Sequence, residues 1–254
     1  MGRAVRKYTR REDVVLATKV YFKMGDGPGG SGLSRRAIME QVDASLARLG
    51  TDYVDLYQIH RFDPETPVEE TMEALHDVVR AGKARYIGAS SMRAWQFAKP
   101  QYTAQLHGWT RFVSMQNQYS LMQREDEREM FGLLADQGVG GIPRSPLAKG
   151  RLARPWGEQT ARSETDSVAR WVLPHDDKPI ADAVQVIAAE RGVPMAQVAL
   201  AWVLRNPVVT APIVGPTKPG HLADAAAALD LQLTDKEVQR FEAPYTPRTP
   251  TGFE

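Results

Sequence analysis

Short runs of apolar and β-branched residues alternate with longer amphipathic segments along this chain. The runs that predict strands are 14–18, 53–59, 84–88, 112–116, 139–142 and 208–214. The segments that predict helices are 34–49, 68–80, 95–106, 124–136, 180–191 and 195–205. Strands that alternate with helices in this way are typical of βα units around a parallel sheet. The pattern therefore predicts an α/β protein.

Two of the helices carry start and stop signals of their own. Ser34 is a suitable N-cap for the helix over 34–49, and Gly50 directly follows its last apolar position. Pro67 and Gly82 bracket the helix over 68–80 in the same way. Apolar residues recur at helical spacing between these signals, so one face of each helix is predicted to be core.

The strands are nearly continuously apolar, which indicates a sheet with helices packed on one face and side chains packed together on the other. A TIM-like (β/α)8 barrel is favoured over an open sheet because no strand is followed by a glycine-rich phosphate turn. About six strands are visible where a closed barrel needs eight, so the first two are expected to be missing. We expect one domain over 1–254, although two small domains would also fit the length. The loop at about 148–178 is long, and loops of that length are usually functional lids or disordered. Open strand edges invite pairing, so we expect either a homo-oligomer through those edges or edges covered by the chain's own termini.

Composition narrows the choice of partners. The 32 basic and 31 acidic side chains leave a net charge of +1, which offers no long-range attraction to nucleic acid or an anionic membrane. There is no cysteine, so disulfides and thiolate metal sites are excluded. No apolar run approaches the roughly 20 residues that span a bilayer, and the start lacks the apolar core of a signal peptide. We interpret the chain as a cytoplasmic protein with a small-molecule partner and no metal.

Two residues with chemical potential stand at the ends of predicted strands. Lys19 follows the first apolar run and His60 follows the second. Reactive side chains in a parallel barrel lie at the carboxyl ends of strands. Alone, the lysine could be a solvated loop residue and the histidine a core residue. A cation beside a phenol or an imidazole can nevertheless shift pKa values toward working pH, which is how a proton donor to a carbonyl is made.

Seven segments carry a resemblance to a known family. They are ATKV (Ala17 to Val20), GTDYVDLYQIHR (Gly50 to Arg61), TPVEETMEAL (Thr66 to Leu75), GKARYIGASSM (Gly82 to Met92), MQNQYSL (Met115 to Leu121), SPLAKGRL (Ser145 to Leu152) and VGPTKPGHL (Val214 to Leu222). In this order they resemble the aldo-keto reductases, and the chain looks closest to the aryl-alcohol dehydrogenase-like branch. The resemblance covers nearly the whole chain, including the RSETD segment at 162–166 and the PYTP segment at 244–247.

The resemblance implies hydride transfer between NADPH and an aldehyde or ketone, performed in the barrel mouth without metal. Lys19 matches the lysine that lowers the pKa of a tyrosine proton donor. His60 matches the histidine that orients and polarises the substrate carbonyl. Ser90, Ser91 and Gln116 match the residues that hydrogen-bond the nicotinamide carboxamide and so select the face of the ring that meets the substrate.

The resemblance also implies sites for the rest of the cofactor. Residues matching the pyrophosphate loop are Ser145, Leu147, Lys149 and Gly150. Residues matching the adenosine end are Gly215, Thr217, Lys218, His221 and Asp224, where a lysine near a 2′-phosphate favours NADPH over NADH. Arg144 stands where this branch usually has an aromatic residue stacked on the nicotinamide. A guanidinium can also stack, but it places positive charge beside a ring that is cationic when oxidised, which would weaken NADP⁺ relative to NADPH.

The sequence departs from the family pattern before Lys19. The family reaction also uses a tyrosine and an aspartate, whereas this stretch holds only Tyr8 and Asp13, neither in a matching segment. GRAVRK resembles the second helix of the family, so an N-terminal truncation is expected. General acid catalysis typically contributes about 10²- to 10⁴-fold, so turnover is expected to be low or nil. The alternatives to an active reductase are an inactive nucleotide-binding or regulatory protein and a non-functional truncated product.

Overall fold

The computed structural model describes residues 1–158 and 177–250. These residues form two compact units, of which the first is Met1–Gln116 and the second begins at Asn117. Most of the predicted long loop at about 148–178 lies outside the described residues, as does the RSETD segment.

The first unit alternates helices and strands as predicted. Its elements are α1 (Gly2–Tyr8), β1 (Ala17–Val20), α2 (Arg35–Leu49), β2 (Val54–Ile59), α3 (Val68–Arg80), β3 (Ala84–Ser90), α4 (Ala94–His107) and β4 (Phe112–Gln116). Neighbouring strands pair in parallel in the order β1, β2, β3, β4. The cap signals are confirmed, since the Ser34 side chain accepts a hydrogen bond from Ala37 N and Gly50 ends α2 in the left-handed conformation.

The helices of this unit cover one face of the sheet. The Tyr57 phenol, fully buried in β2, donates a hydrogen bond to the Ile38 carbonyl of α2 at 3.2 Å. Because side chains alternate along a strand, Tyr57 and Ile59 point toward the helices while Gln58 points to the opposite face. Burial away from water raises the pKa of the Tyr57 phenol, which therefore stays neutral and packs as a core residue.

The amino-terminal end of the sheet is fastened by a buried carboxylate. Asp55 accepts hydrogen bonds from the Leu16 backbone N–H at 2.8 Å and forms an ion pair with Arg11 at 2.8 Å. Burial opposes its ionisation, but the Leu16 N–H and the Arg11 guanidinium hold the pKa of Asp55 below its ordinary value. The Leu16 N–H donates to Asp55, and β1 begins at Ala17, three residues after the start of the predicted run 14–18.

The second unit contains five helices and one short strand among its described residues. They are α5 (Met130–Gln137), β5 (Gly140–Gly141), α6 (Lys178–Arg191), α7 (Met195–Leu204), α8 (Pro219–Ala227) and α9 (Asp235–Glu242). The helix predicted over 124–136 is divided into a 3₁₀ turn, Glu125–Glu127, and α5. Tertiary partners divide it, because Glu125 and Asp126 are buried and bonded to side chains from other segments.

The strand predicted over 208–214 does not form. Only Val209 makes an isolated parallel bridge, to Gly141. Thr210 N donates to Gly141 O at 2.8 Å and Ile213 N donates to Pro143 O at 2.9 Å, but Pro212 between them has no N–H to continue the ladder. The prediction of a sixth regular strand was wrong at this point, although the segment follows the expected path beside β5.

Two bonds to the C-terminal segment fasten the second unit. Arg248 forms an ion pair with Asp177 at 2.8 Å, with the two side chains only 4% and 2% exposed. The Tyr245 phenol donates to the Glu125 carboxylate at 2.7 Å, and burial together with this bond raises the pKa of Tyr245 to about 12.

Among the described residues, no single helix is long and apolar enough to cross a membrane. Helices α6 and α7 meet the length and apolarity criteria only when taken together, and the pair is bent by 104°.

Candidate active site

The strand register aligns one row of residues across the whole sheet of the first unit. Lys19 pairs with Gln58, Gln58 with Gly88, and Gly88 with Ser114. Residues in register across parallel strands point to the same face, here the face away from α2. The Gln58 side chain is fully buried, and neither its amide oxygen nor its amide nitrogen has a hydrogen-bond partner in the described chain. The Ser114 hydroxyl is likewise buried and has no hydrogen-bond partner in the described chain.

A second row lies two residues closer to the carboxyl ends of the strands. His60 directly follows β2, and its N–H donates to Val20 O at 3.0 Å. Ser90 pairs with Gln116, and the Ser90 hydroxyl donates to the Gln116 carbonyl at 2.8 Å. The Ser91 hydroxyl lies 3.1 Å from that of Ser90, and both serines are fully buried. This row holds His60 together with the predicted carboxamide-binding residues.

Lys19 and His60 therefore come from adjacent strands and share a face, one two-residue step apart. Both side chains are partly exposed, and Lys19 lies within β1 rather than directly after it as predicted. This is the juxtaposition on which the sequence argument depends. Their catalytic roles remain predictions.

Aromatic side chains surround the carboxyl end of β2. The Phe22 ring meets His60 edge-on, with ring centroids 4.6 Å apart, and Tyr21 in turn meets Phe22 at 5.4 Å. Further along, Phe62 and Trp95 pack edge to face and line a recess of about 460 Å³. The rest of its lining comes from residues 63–69 and from Lys99 of α4.

Backbone conformations that are costly for L-residues coincide with the candidate site. In the described ranges, the non-glycine residues with positive φ are Tyr21 (141°), Ser91 (52°), Ser145 (54°), Ala148 (47°) and Lys149 (57°). Three of these are predicted site residues, and the other two lie within or next to the same segments. Such conformations cost on the order of 1–3 kcal/mol each and cluster at functional sites. The strain is an independent reason to regard these segments as functional.

The second unit holds the residues predicted to bind the phosphates and the adenosine. Arg144 N donates to Asn117 O at 2.9 Å, and the chain then turns through the tight segment 145–150. The bond from Ile213 N to Pro143 O, at 2.9 Å, places the two predicted segments side by side. Leu147, Lys149 and Gly150 are partly exposed, whereas Gly215, Thr217, Lys218 and His221 are exposed and Asp224 is partly exposed. Thr217 N contacts His221 Nδ1 at 3.4 Å, which closes the turn before α8.

Sequence reasoning missed four residues that the structure brings to attention. Gln58 and Ser114 could have been found by counting two residues back along their strands from His60 and Gln116, since strand side chains alternate. Tyr21 was overlooked because only tyrosines before Lys19 were considered. Asp126 lies in a charged run, REDERE, which normally indicates a solvated face, but it is buried.

The two residues considered before Lys19 lie away from the site. Tyr8 is 76% exposed in α1. Asp13 pairs with Arg10 at 3.0 Å, and that bond holds the pKa of Asp13 below its usual value. Neither takes the place of the family's tyrosine and aspartate, as the sequence indicated.

Gly88 is required by the packing of the first row. A Cβ at this position would lie 2.3 Å from Ser114 Oγ and 3.2 Å from Leu56 Cδ1. We expect Gly88→Ala to lower the free energy of unfolding by about 1–3 kcal/mol, measured by urea denaturation. Gly132→Ala is the matched control, because a Cβ there meets nothing within 4 Å and alanine favours the helix. Full stability of Gly88→Ala would show that Ser114 simply rotates away, whereas partial rescue by Ser114→Ala supports the steric reason.

The sequence matches the Aldo/keto reductase family over residues 1–245, and the chain belongs to this family. It is 46% identical to versiconal hemiacetal acetate reductase of Aspergillus parasiticus, over 98% of this chain and 78% of that protein. It is 43% identical to the aldo-keto reductase AMT2 of Alternaria alternata, over 99% of this chain and 75% of that protein. It is 40% identical to the putative aryl-alcohol dehydrogenase AAD16 of Saccharomyces cerevisiae, over 94% of this chain and 75% of that protein.

Family membership confirms the predicted class. The fold is that of the (β/α)8 barrel family, and the parallel βα arrangement of the first unit agrees with it. The family consists of oxidoreductases that generally bind a nicotinamide cofactor. The relatives named as aldo-keto reductases and aryl-alcohol dehydrogenases agree with the branch indicated by the sequence motifs.

Proposed function

We propose that this chain is an NADP(H)-dependent oxidoreductase that transfers hydride between NADPH and an aldehyde or ketone. The observation that carries the proposal is the pair of polar rows in the first unit, in which Lys19 and His60 share one face at the carboxyl end of a parallel sheet. On the neighbouring strands β3 and β4, the rows continue with the side chains of Ser90, Ser114 and Gln116. Such groups provide the donors and acceptors that a nicotinamide carboxamide needs.

NADPH, when bound, supplies the hydride. His60 donates a hydrogen bond to the carbonyl oxygen of the substrate and so orients and polarises the carbonyl group. Lys19 supplies positive charge on the same face, which stabilises the negative charge that develops on that oxygen; the oxygen then takes a proton from solvent water to give the alcohol. Ser90, Ser91 and Gln116 hold the carboxamide, and the buried, unpaired Gln58 amide is a further polar group available beneath them.

The second unit fits the anionic part of the cofactor. Positive φ values at Ser145, Ala148 and Lys149 make a tight turn within one short segment, and tight turns of this kind can form a concave site for an anion. Lys149 lies in that segment, and Lys218 lies exposed at the N-terminus of α8, in the neighbouring segment. A cation there would pair with a 2′-phosphate, which only NADPH carries.

Replacing Lys218 tests the cofactor preference. We expect Lys218→Ala to raise the dissociation constant of NADPH about tenfold and to leave that of NADH nearly unchanged, because a charged hydrogen bond is lost only to the 2′-phosphate. Titration calorimetry with both nucleotides measures the two constants. Lys236→Ala, which removes an exposed lysine from α9, is the matched control. An equal loss for NADPH and NADH would contradict the proposed role.

The aromatic recess favours an aryl aldehyde or aryl alcohol as substrate. Two ring surfaces are offered by Phe62, two residues beyond His60, and by Trp95, in the first turn of α4. Stacked and edge-to-face aromatic pairs add stabilisation beyond the apolar area they bury. The rate of NADPH oxidation, measured by absorbance, tests this preference. The rate should be higher with an aromatic aldehyde than with an aliphatic aldehyde of similar size.

A second function is supported by what the sequence before Lys19 contains. Tyr8 and Asp13 do not reach the site, so the family's tyrosine acid and its aspartate have no counterpart in that stretch. A catalytically inactive protein that binds NADPH, or regulates a partner through it, would need only the cofactor residues. Tight NADPH binding without any oxidation of NADPH by aldehydes would favour this second function, whereas turnover that depends on Lys19 would favour the reductase.

A further inference from the structure

Helix α4 carries large side chains on two opposite faces. The inward face is buried, and its residues are Phe97, Pro100, Gln101 and Ala104. It packs on β4, where the Gln101 side chain exchanges two hydrogen bonds with the backbone of Phe112, at 3.1 and 2.8 Å. The outward face is a stripe that we call the α4 seam, and its residues are Trp95, Lys99, Tyr102 and Leu106. At about 100° per residue, the seam positions lie within about 60° of one another and opposite the buried ones.

The α4 seam is largely apolar although it faces solvent. Leu106 is 80% exposed, Trp95 is 59% exposed and Tyr102 is 52% exposed, and Lys99 between them is exposed as well. The Trp95 ring packs edge to face on Phe62 at 5.6 Å, so its position is fixed while more than half of the side chain is uncovered. A surface helix usually carries polar residues opposite its buried face, and a helix that is apolar all round is usually buried on all sides. An exposed stripe of this kind indicates an interaction surface.

The spacing of the seam residues indicates what packs on it. They follow one another by four, three and four positions, which is the spacing with which one helix packs along another at a small crossing angle. The stripe is also symmetric about a point midway between Lys99 and Tyr102. If two identical helices cross antiparallel at this point, Trp95 meets Leu106 of the second copy. Lys99 then lies against the Tyr102 ring of the second copy, which is a favourable cation–π contact. A parallel pair would instead bring the two Lys99 ammonium groups together.

We propose that the α4 seam is a homodimer interface, in which the seams of two copies of this chain pack antiparallel about a two-fold axis. Every contact then occurs twice, as in any isologous interface. The surface belongs to the first unit alone, is distinct from the strand edges at which association was expected, and does not depend on the proposed function. One pair of 14-residue helices buries less than the roughly 1,600 Å² of a standard interface, so the dimer is weak, with a dissociation constant of about 10–100 µM.

Leu106→Gln tests the seam by sedimentation velocity, at concentrations from about tenfold below to about tenfold above this range. We expect the substitution to raise the dissociation constant of the dimer at least about tenfold, because one apolar contact is lost twice in each dimer. The monomer should keep its fold, since Leu106 is exposed and glutamine is a good helix former. Leu229→Gln, at a leucine that is 66% exposed outside the seam, is the matched control and should associate like the unmodified protein. An unmodified protein that stays monomeric throughout, or an equal loss in the control, overturns the proposal.

Cross-linking tests the antiparallel arrangement. The chain has no cysteine, so introduced cysteines are the only thiols present. The double variant Trp95→Cys, Leu106→Cys should form a covalent dimer with a short bis-maleimide reagent, because positions 95 and 106 of different copies face each other. Within one copy these positions are about 16 Å apart along the helix, and in the antiparallel dimer the same distance separates the two cysteines of either single variant. A reagent shorter than this distance should therefore leave both single variants uncross-linked. No cross-linked dimer of the double variant, or single variants that cross-link as readily, would show that the two seams do not pack in this way.

Discussion

Lys19→Met is expected to lower the rate of NADPH-dependent reduction of an aromatic aldehyde about a hundredfold or more, with little change in the dissociation constant of NADPH. Methionine keeps most of the apolar stem of lysine but removes the charge that would stabilise the developing alkoxide. Removal of groups that act in proton transfer or oxyanion stabilisation typically costs about 10²- to 10⁴-fold in rate. Steady-state kinetics and a separate NADPH titration distinguish the loss of chemistry from the loss of binding.

The matched control for this experiment is Lys83→Met. Lys83 precedes β3 at the amino-terminal end of the same sheet, where it pairs with Asp43 at 2.6 Å. Its replacement should leave both constants within about twofold, because an exposed ion pair contributes little. Equal losses in the two variants would indicate a general effect on the fold, and unchanged turnover in Lys19→Met would remove Lys19 from the reaction.

Arg248→Met is expected to lower the free energy of unfolding of the protein by about 3–5 kcal/mol. The substitution leaves the buried Asp177 carboxylate without its cation, and the second Asp177 oxygen already has no partner among the described residues. An unpaired charge in a low-dielectric site is far more costly than the loss of an exposed ion pair. Urea denaturation followed by tryptophan fluorescence measures the change.

Two further variants separate this explanation from a simple loss of packing. Arg240→Met removes one partner of the exposed pair with Glu190 at 2.8 Å and should cost less than about 1 kcal/mol. Arg248→Met combined with Asp177→Leu removes both buried charges and should recover most of the lost stability. If the double variant is no more stable than Arg248→Met, the packing of the arginine stem rather than its charge fastens the C-terminal segment.

Much of the first unit could be predicted from local sequence signals. The pattern from Val68 to Arg80, between Pro67 and Gly82, gave the bounds of α3, and the apolar run from Phe112 to Gln116 gave those of β4. These elements combine a clear hydrophobic period with turn residues at both ends, so local and tertiary preferences agree.

The errors arose where distant contacts decide the local structure. The run 208–214 is apolar enough for a strand, but Pro212 interrupts its hydrogen bonds to the segment after Gly140. The run 124–136 has helical spacing, yet Asp126 is buried and accepts a hydrogen bond from the Asn117 side chain. No periodicity in a single sequence indicates which charged residue of REDERE is buried, because that depends on a side chain nine positions away.

The residues at the strand ends of the candidate site were easier to predict than the buried residues behind them. Lys19 and His60 were identified because strand ends are visible in sequence, and the motifs supplied the serines and Gln116. Gln58 of the first row was missed because nothing in the composition marks it as buried and without a hydrogen-bond partner. The position of Gln58 becomes evident only when the register joins it to Lys19 on one side and Gly88 on the other.

The alternation of side chains in β2 has an evolutionary consequence. Deleting or inserting a single residue between Val54 and His60 would exchange the two faces of the strand, sending the histidine toward α2 and a phenol or an isoleucine into the polar rows. Only insertions or deletions of an even number of residues would keep the two faces of β2 in place. Related proteins should therefore differ in the loops after the strand and keep the length of the strand constant.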